Sequence, residues 1–316
     1  MEKNEVCVVT GGAGFIGSHL CEALLTSGYS VICLDNLLTG VETNLSGVKK
    51  HSKFSFLKWD VSHELPVFPR VDFVFHLASP ASVPDYQKYD EETALVNSIG
   101  TRSLLKIARV YKAKFLYTST SEVYGDPAEH PQKETYWGHV NPNGKRACYD
   151  EAKRFGEMMT LLYVRKHSVD ARIVRIFNTY GPHMRVDDGR VISNFINQAI
   201  RNNPITVYGD GRQTRSFCYV SDMVQGITKA MFEDNTKGEV INLGNPVEYS
   251  MIDMAQKIKQ MTGSTSEIVH EPLPEDDPIK RKPDITKAGK LLGWNPGVDL
   301  EHGLQKTVEY YRSILQ

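Results

Sequence analysis

Thr10-Gly11-Gly12-Ala13-Gly14-Phe15-Ile16-Gly17 is the stretch that decides the fold. It follows the β-branched run Val6-Cys-Val-Val and opens a helical pattern over 14–27. Glycines at 11, 14 and 17 form G-x-x-G-x-x-G, a spacing that lets backbone approach a pyrophosphate resting on a helix N-terminus. A glycine triplet alone also suits any tight strand-to-helix turn. The second signal is Asp35, at the end of a strand expected over 30–35. A carboxylate there can accept both hydroxyls of a ribose and would repel a 2′-phosphate, so NAD is expected rather than NADP.

Working outward, aromatic and β-branched runs at 54–59, 72–77, 114–119 and 171–177 predict further strands, with helices over 91–111 and 149–166. The strand runs are almost continuously apolar, as in strands buried on both faces. Their alternation with helices predicts an α/β fold, a doubly wound parallel sheet of Rossmann type. After about residue 180 Gly and Pro become denser, as in Asn203-Pro and Tyr208-Gly-Asp-Gly, with helices over 221–233, 251–261 and 300–315. The expected division is an NAD-binding domain at 1–180 and a smaller substrate-binding lobe at 181–316, partly interleaved with the first.

The 316 residues suffice for one large domain or two. With 37 basic and 38 acidic residues the formal charge is −1, which excludes a nucleic-acid-coating surface or a polybasic membrane patch. Apolar runs fall short of the ~20 residues of a membrane span. Five scattered cysteines (Cys7, Cys21, Cys33, Cys148, Cys218) offer neither a disulfide framework nor a zinc knuckle and fit a reducing compartment. Met1-Glu-Lys-Asn-Glu runs straight into Val6, so no signal peptide and a cytoplasmic location are expected. His76, His130 and His139 show no metal-ligand spacing, and no metal is expected.

Ligands of such sheets lie at the carboxyl ends of strands. Asp60-Val61 falls there, within reach of an adenine amino group, as does Leu77-Ala78-Ser79-Pro80, whose backbone can line the nicotinamide ribose. Tyr149-Asp-Glu-Ala-Lys153 puts a phenol and an ammonium on one helix face. A free phenol is a poor base at pH 7, but a nearby cation stabilises the phenolate, so Tyr149 is expected as base with Lys153 tuning it. Thr120, Ser121 and Glu122 leave the fifth strand at its ligand-facing end. A hydroxyl there can align a substrate alcohol, and a carboxylate is costly unless paired or useful.

The longer motifs carry a resemblance over almost the whole chain. Ser119-Thr-Ser-Glu-Val-Tyr-Gly-Asp-Pro127, Tyr136-Trp-Gly-His-Val-Asn-Pro142 and Cys148-Tyr-Asp-Glu-Ala-Lys-Arg154 resemble the UDP-glucuronate decarboxylases (UDP-xylose synthases), extended short-chain dehydrogenases/reductases acting on nucleotide sugars. Arg175-Ile-Phe-Asn-Thr-Tyr-Gly-Pro182, Asp188-Gly-Arg-Val-Ile-Ser-Asn-Phe195, Asp276-Asp-Pro-Ile-Lys-Arg-Lys-Pro-Asp284 and Gly293-Trp-Asn-Pro296 continue the pattern. The resemblance implies NAD-dependent conversion of UDP-glucuronate to UDP-xylose and CO2, through oxidation at C4, loss of CO2 from the β-keto acid and re-reduction. It implies Tyr149 as base, Lys153 as its tuner, Thr120 orienting the alcohol, and Glu122 with Arg281 managing the carboxylate and reprotonation at C5. Its cofactor set adds Phe15, Ile16, Asn36, Thr39, Gly40, Thr118, Thr179 and Arg185 to Gly11, Gly14, Asp35, Asp60, Val61, Leu77, Ala78 and Ser79. Its substrate set is Pro80, Tyr86, Ser121, Glu122, Asn178, Ile192, Asn194, Tyr208, Gln213, Arg215, Tyr219 and Arg281, with Arg215 on the diphosphate. A homodimer through a four-helix bundle of the 91–111 and 149–166 helices is implied. So is a soluble form without the membrane anchor of eukaryotic members.

The bland readings are concrete. Tyr208 and Tyr219 equally suit core aromatics, Arg190 a helix cap near Val191, and Lys280-Arg-Lys282 a solvated basic run. Leu95 departs from the family, some of whose members carry a lysine there. A UDP-sugar 4-epimerase or 4,6-dehydratase on the same scaffold is the close rival, although dehydratases carry Asp-Glu where this chain has Ser121-Glu122. A non-catalytic NAD-binding sensor is the distant rival, disfavoured because Tyr149 and Lys153 are both present.

Overall fold

The computed structural model describes residues 4–273 and 280–315. Asp276–Ile279 of the late motif and the segment at the start of the chain, 1–3, lie outside the described residues. In chain order the main elements run β1 (Val6–Thr10), α1 (Phe15–Thr26), β2 (Ser30–Asp35), β3 (Phe54–Lys58), β4 (Phe73–His76), α2 (Val83–Lys88), α3 (Asp90–Leu95), α4 (Thr101–Tyr111), β5 (Lys114–Thr120), α5 (Ala147–His167) and β6 (Ala171–Ile176). There follow β7 (Thr179–Tyr180), α6 (Val191–Ile200), β8 (Ile205–Tyr208), β9 (Thr214–Ser216), β10 (Cys218–Tyr219), α7 (Val220–Phe232) and β11 (Val240–Leu243). The chain closes with β12 (Glu248–Ser250), α8 (Met251–Thr262), β13 (Ile268–Glu271), β14 (Lys280–Arg281), α9 (Thr286–Leu292) and α10 (Leu300–Leu315).

Seven strands form one parallel sheet in the order β11-β6-β5-β4-β1-β2-β3, in register from Val6 against Ser30 to Thr120 against Ile176. Apart from half-buried Val6, the valine, leucine and phenylalanine side chains of β1, β4 and β5 are buried on both faces, as in a sheet covered on both sides. The strand order switches between β1 and β4, with β2 and β3 on one side and β5 and β6 on the other, and that switch opens a crevice at their carboxyl ends. Although β11 lies well past residue 180, it completes the sheet beside β6, and α7 packs against α1 and β6. Three smaller sheets, β12-β9-β14 and the pairs β13-β8 and β10-β7, complete the fold, and β8, β9 and β14 supply the wall facing the crevice.

The helix expected over 91–111 is not continuous. Val96–Gly100 forms a π-helical turn between α3 and α4. It buries Asn97, whose amide donates to the Thr93 carbonyl and the Ser79 hydroxyl and whose Oδ1 accepts from the Tyr117 hydroxyl at 2.9 Å. A widened turn of this kind re-aims a side chain that a regular helix would leave elsewhere.

Candidate active site

The crevice is a single cleft of about 760 Å³, running from the glycine turn to the wall built by β8, β9 and β14. Its two ends are made differently.

At the first end the backbone does most of the work. Gly11 adopts φ +69°, and a Cβ on it would lie 2.7 Å from the Ala78 amide nitrogen. Only glycine lets the turn and the end of β4 come this close. Gly14 caps α1 without a side chain, so among the described residues no side chain occupies the first amides of that helix. Asp35 accepts from the Ala13 and Leu37 amides at 3.0 and 2.8 Å. Burial lifts its carboxyl above the usual range, and those two amides pull it partly back. For Asp60 burial also acts upward, but the Ser62 hydroxyl and amide and the Asn36 amide win and hold it below the ordinary value. Open amides at a helix N-terminus, a buried carboxylate 22 residues beyond Ala13 and a second carboxylate beside it fit NAD. Phe15, Ile16, Asn36, Thr39, Gly40, Val61, Leu77, Ala78 and Ser79 line this part of the cleft. Arg185 also lines it, with its guanidinium on Asp85 (2.8 Å), Asp187 (3.0 Å) and the Thr39 carbonyl (3.2 Å).

Between the ends stands the phenol. Helix α5 can bring Tyr149 and Lys153 over β5 because Gly156, one turn on, would put a Cβ 2.2 Å from the Tyr117 hydroxyl. Lys153 Nζ donates to the Thr118 carbonyl at 2.8 Å and lies 5.1 Å above the Tyr117 ring and 5.8 Å from that of Tyr149. Tyr149 hydrogen-bonds Thr120 and stacks on Tyr86 at 4.9 Å with the rings 4° apart. The Tyr86 hydroxyl has no partner among the described residues, although the residue is only 1% exposed and lines the cleft.

Burial acts on both partners of the expected pair. Burial pushes Tyr149 up to about 12, with Thr120 the main opposing influence, and pushes Lys153 down to about 7, with Glu157 opposing. Desolvation disfavours both charged forms. Glu157 cannot compensate fully, because Arg175 holds both its oxygens at 2.8 Å and Ser119 donates to it at 2.6 Å.

The second end is ionic. Arg281, 1% exposed, donates to Glu122 Oε1 at 3.1 Å and to the Gly125 carbonyl at 2.9 Å, and also bonds the Ser121 carbonyl. It is therefore no solvated basic run. Arg146 pairs with the other Glu122 oxygen. Burial would raise Glu122, but Arg281, Arg146 and Arg215 hold it ionised below the usual carboxylate range. Arg215 stands opposite Arg281 in the β9–β14 pairing. The sequence reading missed Arg146; its signal is a Lys145-Arg146 pair just before a helix N-terminus, where a helix dipole favours acids. It also missed Asp150, buried beside Tyr149 and lifted to about 7 by burial and then by Glu122.

Pro80, Ser121, Asn178, Ile192, Asn194, Tyr208, Gln213 and Arg215 line the cleft, as do Thr118 and Thr179. Tyr208 is 44% exposed, so its core reading fails. Tyr219 is placed otherwise than expected: it does not line the cleft but packs edge-on to Tyr180 and against Gly303. Arg190 gives α6 no side-chain cap; its guanidinium meets Asp188 at 2.9 Å and lines the cleft. Leu95 lies outside the lining.

The model of the NAD dependent epimerase/dehydratase family matches residues 7–244. UDP-glucuronic acid decarboxylase 1 of Xenopus tropicalis is 50% identical over 309 residues, covering 98% of this chain and 72% of that protein. UDP-glucuronic acid decarboxylase 1 of Arabidopsis thaliana is 50% identical over 306 residues, covering 97% of this chain and 69% of that one. Among solved structures, an epimerase from Methanothermobacter thermautotrophicus superposes with a TM-score of 0.92 at 30% identity, covering 99% and 94% of the two chains. UDP-glucuronic acid 4-epimerase from Bacillus cereus, in complex with UDP-glucuronic acid and NAD, superposes at 0.88 with 30% identity, covering 98% and 99%. No described helix is long and apolar enough to cross a membrane.

Proposed function

Because the chain belongs to the NAD dependent epimerase/dehydratase family, we propose that it decarboxylates UDP-glucuronate to UDP-xylose and CO2 at the junction of these two ends. The observation that carries this is Glu122, an ionised carboxylate clamped between Arg281 and Arg146 next to Tyr149. The relatives named for this reaction match at 50% identity along nearly the whole chain, which supports the same reading.

The chemistry follows from the side chains. Tyr149 takes the proton of the C4 hydroxyl, with Thr120 aligning that alcohol. Bound NAD would supply the chemistry of taking up the C4 hydride and giving it back, and Tyr149 and Lys153 would hold its nicotinamide ribose. A ketone at C4 is β to the C6 carboxylate, so the electrons of the breaking C5–C6 bond flow into an enolate. Tyr149 and Thr120 present hydroxyl donors to the developing oxyanion. The Arg281–Glu122–Arg146 cluster fixes charge beside the departing carboxylate, and the proton that replaces CO2 at C5 comes from solvent. Tyr86, buried and without a hydroxyl partner among the described residues, offers its hydroxyl to the sugar. Arg215 suits the diphosphate, since a guanidinium fork matches phosphate oxygens. Asp35 is assigned to the adenosine ribose and Asp60 to the adenine.

The exposed apolar side chains Ile99, Phe155 and Met158 lie on the α3–α4 and α5 segments, and we assign this face to a homodimer. The five free thiols favour the cytoplasm. Incubating the purified chain with UDP-glucuronate and no added NAD, with proton NMR of the products, tests the reaction. A UDP-pentose with xylose coupling constants is the expected result. A UDP-hexuronate inverted at C4 would make the chain an epimerase and reduce Glu122 and Arg281 to binding groups.

A further inference from the structure

Beside the glycine turn lies a histidine pair that the chemistry above does not use. His183, in the loop after β7, takes φ +69° and lines the cleft. Its ring stacks on His19 of α1 at 4.5 Å, 18° from parallel, and its Nδ1 lies 3.0 Å from the Ser18 hydroxyl. Its carbonyl accepts from Asn44, whose amide also reaches the Ala13 carbonyl in the glycine turn. The left-handed backbone and the Asn44 tie hold the imidazole against the first turn of α1.

The Ser18 hydroxyl lies 3.0 Å from both the Phe15 carbonyl and His183 Nδ1. Because the carbonyl can only accept, we assign the hydroxyl hydrogen to it, which makes the Ser18 oxygen the acceptor and His183 Nδ1 the donor. In neutral imidazole the other nitrogen, Nε2, is then a bare lone pair. A lone pair lining a pyrophosphate site repels the anion unless it gains a proton.

We propose that His183 is a proton-linked anchor for the dinucleotide pyrophosphate: Nε2 takes a proton from solvent as the anion enters, and the new N–H donates to a phosphate oxygen. The nitrogen–hydrogen bond forms at the expense of a buffer acid, and no other bond changes. The groups facing this ring are few. From α1 come Ser18 and His19, with Glu22 acting on His19; from α10 comes the Tyr310 ring at 5.7 Å; from the loop itself comes Arg185, already held by Asp85 and Asp187. Burial and His19 keep His183 down at about 4 without a ligand, so an anion has room to raise it. Protonated His183 binds better, so NAD affinity falls as pH rises through the window between about 4 and the bound-state value.

This inference rests on the dinucleotide reading of the turn and not on which sugar is processed. Calorimetric titration of the nucleotide-free chain with NAD at pH 6, in two buffers of different ionisation enthalpy, reads the proton directly. The expected uptake is between one half and one proton per NAD. His183→Asn, which the left-handed backbone tolerates, abolishes the uptake and weakens binding about tenfold at pH 6 and far less at pH 8. Ser18→Ala frees the tautomer, so NAD still binds but takes up less proton. A His183→Asn that weakens NAD equally at both pH values has only a structural role, which overturns the proposal. Uptake that survives His183→Asn and disappears in His19→Asn places the proton on the wrong ring and overturns it too. No NAD binding to the unsubstituted chain would instead contradict the dinucleotide reading itself.

Discussion

The two ends of the cleft differ in how far apart in the chain their parts lie. The frame of the dinucleotide end is β1, the turn and β2, within 35 residues, with Asp60, Ala78 and Arg185 brought to it, and it rests on backbone conformation and the buried Asp35 carboxylate. The sugar end brings together Glu122, Arg146 and Arg281, the last 159 positions from the first, and rests on charge. A local, backbone-made site tolerates change in most side chains but not at its glycines. A charge cluster gathered from distant loops tolerates backbone variation but not the loss of one partner, because the remaining buried charges are left uncompensated.

Substitutions at each end can break or sharpen that contrast. Tyr149→Phe is expected to have the largest effect, a ~10²- to 10⁴-fold loss of turnover with NAD content unchanged, measured by product formation against nucleotide released on denaturation. Turnover near wild type would remove Tyr149 from its role. Glu122→Gln comes next, about 10²-fold slower. Stopped-flow absorbance should show C4 oxidation preserved and a later step slowed, whereas equal slowing of both would make Glu122 a general positioning group. Gly11→Ala acts at the other end, costing about 1–3 kcal/mol in thermal unfolding and most of the bound NAD. A variant that keeps its NAD would mean the turn relaxes away from Ala78.

The smallest effect concerns Lys153, which belongs to neither end alone. Its folded-state value is near 7 against an ordinary lysine near 10.5. In that window the unfolded chain holds a proton that the folded one has shed, so stability of the nucleotide-free enzyme rises with pH between those values. Lys153→Met should flatten that slope in urea titrations across pH 7 to 10. An unchanged slope would place its origin elsewhere.

This division also explains what the sequence could disclose. Gly11, Gly14 and Asp35 are readable because a strand, a turn and a helix follow one another without interruption. The parallel sheet is readable for the same reason, its central strands β1 and β4 being largely apolar on both faces. Arg281 sits between two lysines, and nothing local separates a buried arginine from a solvated one; only the longer family resemblance pointed to it. Arg146 and Asp150 were passed over, because their partner Glu122 is 24 and 28 positions away and is reached only when α5 folds over β5. Tyr219 was misplaced since a tyrosine on a short strand looks alike whether it faces Tyr180 or a ligand. The π-helical turn at Val96–Gly100 was missed because its apolar spacing matches that of an ordinary helix. Spacing also places Lys153 beside Tyr149, but it does not show that burial dehydrates both groups.

The central claim is that the carboxylate leaves as CO2 and that a solvent-derived proton replaces it at C5. Running the reaction with UDP-glucuronate in D2O and examining the product by NMR and mass spectrometry tests this most directly. The account predicts UDP-xylose carrying one deuterium, at C5 and on one face only. A product that retains its carboxylate and carries no deuterium would contradict it.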